Sequence, residues 1–169
     1  MKGENEMNIE KKVDLDKPSY YVEGRRYEPK DIIREFNFNF NLGCAVKYIS
    51  RAGRKDPSKH VEDLEKALNY LRFEQSAIYN DIFYTTAHKP DAICTRKVNI
   101  DDEVAYYKMA KVSFDWNLSD ELSLALMNLV SCQITNYNTF VYFYIEKAIG
   151  CIGDEISNIM ANDTPEGTV

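Results

Sequence analysis

The sequence predicts an all-α chain, and three observations carry that prediction. Apolar residues recur at three- and four-residue spacing through most of the chain instead of alternating. Cap and stop residues punctuate the runs at helix-length intervals: Asp56-Pro57 before one run, Ser119 before another, Gly53 after a third. Only Ile93 to Val98 has the composition of a strand. The expected architecture is therefore a compact helical domain with at most a small strand or hairpin in a connector.

Taken in order, residues 1–17 are charged and weakly periodic, and they are expected to form a flexible arm. Pro18 to Tyr27 is aromatic and basic and contains a glycine, which predicts an ordered loop. A short helix is expected from Pro29 to about Phe36, with Ile32, Ile33 and Phe36 inward. The next helix lies within Phe36 to Lys55 and buries Leu42, Ala45, Val46 and Ile49. A longer helix opens at Pro57 and runs to about Phe83, with Val61, Leu64, Leu68, Leu71, Ile78 and Ile82 as its stripe. Residues 84–100 read as a connector.

Three helical runs follow: Asp101 to Val112, Ser119 to about Gln133, and about Thr139 to Ala161. Leu122, Ala125, Leu126 and Leu129 face inward in the second. Phe140, Tyr144, Ala148, Ile152, Ile156 and Ile159 do so in the third. Residues 163–169 form a polar tail. The chain thus divides into a first helical unit at 18–83 and a second at 101–162.

The two units echo one another. Phe38-Asn39-Phe40-Asn41-Leu42 resembles Phe114-Asp115-Trp116-Asn117-Leu118, and Glu65-Lys66-Ala67-Leu68 resembles Glu146-Lys147-Ala148-Ile149. About five inserted residues separate the two registers. A duplicated helical pair about a pseudo-twofold axis would produce this pattern. Lys47 and Arg51 of the first unit then fall near Met127 and Ser131, so the second unit lacks the cations.

Charge is unevenly spread. The chain of 169 residues has a formal net charge of −6, yet residues 1–90 carry +1 and the remainder −7. An anion-binding surface is expected in the first half, and the acidic total disfavours sequence-blind nucleic-acid binding. Four cysteines without a CxxC pair, and only two histidines, disfavour a zinc site. No metal and no cofactor is expected. No apolar run is long enough to span a bilayer, so no membrane partner is expected and the location is taken as cytoplasmic.

The cations converge on one helix. Lys47, Arg51, Arg54 and Lys55 lie at i, i+4, i+7 and i+8, opposite the apolar stripe, and the next helix starts just after them. Guanidinium groups grip phosphate through paired N–H donors, and a helix start adds positive potential. Tyr20, Tyr21 and Tyr48 offer rings for stacking on a base, and His60 could touch phosphate. There is no GxxxxGK[ST] loop and no GxGxxG. Glu62, Asp63, Glu65 and Asp154-Glu155 could supply carboxylates, but acids in the first turns of a helix are more simply solvated.

These same residues carry a family resemblance. PSYY, EPKDII, FNLGCAVKYISRAGRK and EDLEKALNYL, in that order, resemble a phage family of unknown-function domains described as phage nucleotide kinase-like. Its members read P-S-H-Y, E-x-x-D-x-I, F-x-L-G-N-A-x-K-Y-I-x-R-A-G-K-K and D-L-x-K-A-x-x-Y-L. The likeness covers about Pro18 to Phe73. It implies that Lys47, Tyr48, Arg51, Arg54 and Lys55 form the motif's basic segment, and that Asp63, Lys66 and Tyr70 mark its second helix. The motif's His is Tyr20 here and its Asn is Cys44, and Tyr is a poor proton carrier near neutral pH.

The expected function is therefore that of a phage protein, homo-oligomeric and located in the infected bacterial cell. It would hold a phosphorylated nucleotide or nucleotide-derived signal, and so counter host defence signalling. The alternative implied by the resemblance is a nucleoside monophosphate kinase without a P-loop. A protein-binding module acting through the acidic second half is a third reading.

Overall fold

The computed structural model describes residues 18–84, 100–135 and 138–163. The described residues form helices with no strand: α1 (Ser19–Val22), α2 (Pro29–Glu35), α3 (Phe40–Arg51), α4 (His60–Tyr84), α5 (Asp102–Trp116), α6 (Asp120–Ile134) and α7 (Asn138–Asn162). The expected all-α class is what the chain adopts. Most of the connector, with its strand-like piece Ile93 to Val98, lies outside the described residues, as do the arm and the tail beyond Asp163.

α3 packs against α4, α6 against α7, and the two pairs join along α4 and α7. α2 covers α3, and α5 covers α6. One apolar cluster runs through the whole, so both units share a core. Leu42, Ala45, Val46 and Ile49 are fully buried in it, as their spacing predicted. The same holds for Leu64, Leu71 and Ile78 of α4 and for Ala125, Leu126 and Leu129 of α6. Each buried Leu, Ile or Val among them contributes roughly 1.5–3 kcal/mol relative to exposure.

Local chemistry sets the helix ends. Asn39 caps α3 by accepting from the Leu42 amide at 3.0 Å. α3 stops because Gly53 takes φ +71, letting the Arg54 and Lys55 amides fold back onto the Arg51 carbonyl. Asp56 then accepts from the Ser58 amide at 3.0 Å, and Pro57 starts a short 3₁₀ turn that leads into α4. Ser119 caps α6. Gly43 marks the contact with α2, since a Cβ there would lie 3.0 Å from Ile33 Cγ2.

Three expectations shift. Pro18 to Tyr27 contains a helical turn, α1, before its loop. α5 runs on to Trp116 instead of stopping at Val112, and the left-handed Asn117 ends it. In α7 the inward stripe begins with Val141 and Ile145 rather than Phe140, which is half exposed. That helix is apolar on several sides at its start, so ring size misleads where the packing partner decides.

One local geometry occurs in both units. Asn37 and Asn117 are left-handed (φ 49 and 52), the Phe38 and Leu118 amides bond back to Ile33 and Ser113, and Asn39 and Ser119 cap the following helices. It pairs Asn37 with Asn117. Phe38 and Phe114 are not equivalent, because Phe114 lies in the last turn of α5 and Phe38 lies beyond the end of α2. What the units share is one turn and one cap.

Candidate functional site

The eight residues singled out from sequence fall into three neighbourhoods. The first is a stack on the outer face of α3 and α4. The Arg51 guanidinium lies 4.4 Å from the Tyr48 ring, and Tyr48 stacks on Tyr70 with centroids 5.8 Å apart. Lys47 and Lys66 lie 5.8 and 6.0 Å from the Tyr48 ring. Arg51 is already engaged: its Nε and Nη2 donate to the two oxygens of Asp63 at 3.1 and 2.7 Å. Burial opposes the Arg51 charge, but the paired carboxylate outweighs it and holds the guanidinium more firmly protonated than usual. Asp63 is buried, and Glu62 is paired with Lys66.

The second neighbourhood is α1. Tyr20 and Tyr21 touch at 4.4 Å, and the Lys55 ammonium lies 5.8 Å from the Tyr20 ring. Burial raises the Tyr21 phenol above its ordinary range, with Arg51 partly offsetting the effect. Its buried hydroxyl faces the Arg51 guanidinium, which ties α1 to the first neighbourhood.

The third is a cavity of about 280 Å³ between the two units. Arg54 and His60 line it from the first unit, beside Gly53. A Cβ on Gly53 would lie 3.1 Å from the His60 ring, so the bare glycine lets the imidazole sit there. Arg54 is tethered, its Nη2 donating to the Glu23 carbonyl at 2.8 Å. Arg25, Trp116, Ser119 and Glu155 also line it.

A docked loop builds this cavity. The Arg26 and Tyr27 amides donate to the Asp115 carboxylate at 2.9 to 3.1 Å. The indole of the buried Trp116 donates to the Tyr27 carbonyl at 2.8 Å. Arg25 therefore turns inward, lies 5.4 Å from the Trp116 ring, and donates one Nη2 bond to the Trp116 carbonyl at 3.2 Å. Its Nε and Nη1 are buried and have no partner. Burial, reinforced by Arg54 and eased by Asp115, pushes the Arg25 pKa down to about 10, so the group stays cationic at neutral pH. Buried donors of this kind are rare in folded proteins, and each calls for a physical explanation.

Glu155 is the acidic wall. It is buried on α7, and no hydrogen bond or ion pair is formed to it among the described residues. The sequence named Arg54 and His60 but not Arg25, Trp116 or Glu155 as partners of one site. The available signals were the basic-aromatic composition of residues 18–27, the single tryptophan, and a carboxylate on an otherwise apolar helix face. Sequence separation hides their meeting. Among the described residues no group of three or more His, Cys, Asp or Glu is arranged to hold a metal ion. None of the described helices is long and apolar enough to cross a membrane.

No curated protein and no solved structure matches the chain. Residues 14–72, which include Arg25, Arg54, His60 and the α3 cation face, match a family described as a protein of unknown function, DUF3310.

Proposed function

We propose that this chain holds a phosphorylated, nucleotide-type small molecule in the cavity between Arg25, Arg54 and His60, and holds it without transforming it. The observation that carries this reading is the under-bonded Arg25, a cation with two buried N–H groups aimed at no protein acceptor. Guanidinium donors match phosphate oxygens in geometry and charge. Arg54 supplies a second guanidinium and His60 a donor of variable charge. Both walls come from one chain, so no second copy is needed to form the cavity. The face around Lys47 and Tyr48 adds positive potential outside it, which would speed capture of an anion. A holder of this kind acts by sequestration. The use we assign it is removal of a nucleotide-derived host signal in a phage-infected bacterium, in keeping with the motif likeness.

Calorimetric titration of the full chain with AMP, ATP and inorganic phosphate tests the reading. Binding is expected, weakened about tenfold (roughly 1.4 kcal/mol) in Arg54→Ala. Three results would overturn it: no binding of any phosphate compound, affinity unchanged by Arg54→Ala, or conversion of AMP to ADP in the presence of ATP and magnesium.

A further inference from the structure

The cavity contains a contradiction if its ligand is only an anion. Glu155 is 8% exposed, lines the same cavity as Arg25 and Arg54, and forms no ion pair or hydrogen bond with either. A carboxylate in the lining would repel phosphate. The cavity thus presents two kinds of polar group, guanidinium donors on Arg25 and Arg54 and a carboxylate acceptor on Glu155. A ligand that satisfies both must carry an oxyanion at one end and hydrogen-bond donors at the other.

Size narrows the class further. Pockets that enclose a drug-sized molecule span roughly 300–1,000 Å³, and this one has about 280 Å³. A phosphorylated sugar would fill a cavity of this size. Sugar hydroxyls are the donors that carboxylates accept in nucleotide sites of other folds. Trp116 and Leu122 complete the lining with apolar surface of the kind that carbon–hydrogen faces of a sugar can pack on.

We infer that the cavity takes the sugar-phosphate portion of its ligand, with the phosphate on Arg25 and Arg54 and the sugar hydroxyls on Glu155. This rests on the phosphate-holding reading above. Any base then lies outside the cavity and contributes little to affinity.

The test compares inorganic phosphate, ribose 5-phosphate and AMP by calorimetry on the full chain, at fixed ionic strength and neutral pH. Ribose 5-phosphate is expected to bind at least about tenfold more tightly than inorganic phosphate, and AMP within about threefold of ribose 5-phosphate. Glu155→Gln keeps the size and removes the charge. It should cut the ribose 5-phosphate preference by about tenfold while leaving inorganic phosphate as tight or tighter. Glu155→Asp, which keeps the charge on a shorter arm, should lie between the two, and helical circular dichroism on each variant shows that it is folded.

If phosphate compounds bind and weaken in Arg54→Ala, but the ratio of ribose 5-phosphate to phosphate ignores Glu155→Gln, this inference is overturned and the phosphate-holding reading stands. A strong preference for AMP over ribose 5-phosphate also overturns it, since the base would then be inside. If nothing binds, the phosphate-holding reading itself falls.

Discussion

Arg51 shows how a residue's type and its task can differ. On sequence it is the centre of a cation stripe, and a free guanidinium there would be a phosphate clamp. In the fold it is a bidentate partner of Asp63, with side chains 11% and 5% exposed. Breaking such a pair leaves one charge buried and alone, which costs about 3–5 kcal/mol, whereas replacing both with apolar residues is often neutral. Arg51→Ala should therefore lower stability by about 3 kcal/mol in urea unfolding. The double change Arg51→Met with Asp63→Leu should recover most of it. If Arg51→Ala left stability unchanged and only weakened ligand binding, the structural role would be wrong. Gly53 is a second single-residue case. Gly53→Ala meets both a left-handed φ and the His60 ring, so a loss of about 1–2 kcal/mol is expected, together with weaker phosphate binding as the imidazole moves.

Between residue and fold stand the caps. Asp56 holds the turn between α3 and α4, and its hydrogen bonds from Ser58 pull its pKa below the ordinary carboxylate value. The sign follows from linkage: a carboxylate with a depressed folded pKa adds stability above its unfolded value near 3.8, and that contribution fades as pH falls through the folded value. The difference in melting temperature between the native chain and Asp56→Ala should be largest at neutral pH and shrink below about pH 3.8. A pH-independent difference would mean that Pro57 and the backbone, not the carboxylate, set this turn. Glu74 performs a related task from the opposite side. Buried on α4, it accepts from Asn39 at 2.6 Å and Asn41 at 2.8 Å, so it clamps the start of α3. Helical periodicity places Glu74 on the inward face of α4, but composition alone assigns it to water.

At the scale of the whole molecule, the halves share one apolar core. α4 packs against α7, and the loop of residues 24–27 docks on the end of α5 through Asp115 and Trp116. The family match ends at residue 72, yet the helix that carries its end needs the second half as cover. A fragment of residues 1–84 is expected to lack a cooperative thermal transition by circular dichroism, because its apolar stripes would face water. A sharp, reversible melt of that fragment would show that the first unit folds alone. Asp115→Ala is the gentler version. It strands the Arg26 and Tyr27 amides, should cost about 2 kcal/mol, and should change the emission of Trp116, the single tryptophan.

The sequence by itself determined the helical plan. Spacing fixed which side chains of α3 and α6 are buried and most of those of α4, where Val61 is only half-buried, and Asn39, Gly53, Asp56 and Ser119 fixed where helices begin and end, because these effects act within a turn or two of chain. Tertiary structure alone decided which charged groups are solvent-facing and which are partners. Arg25 meets Trp116 across 91 positions, and Glu155 reaches the same cavity from α7. Periodicity reports that a face will be covered but not by what, and a carboxylate or guanidinium looks the same in sequence whether water or a buried partner satisfies it.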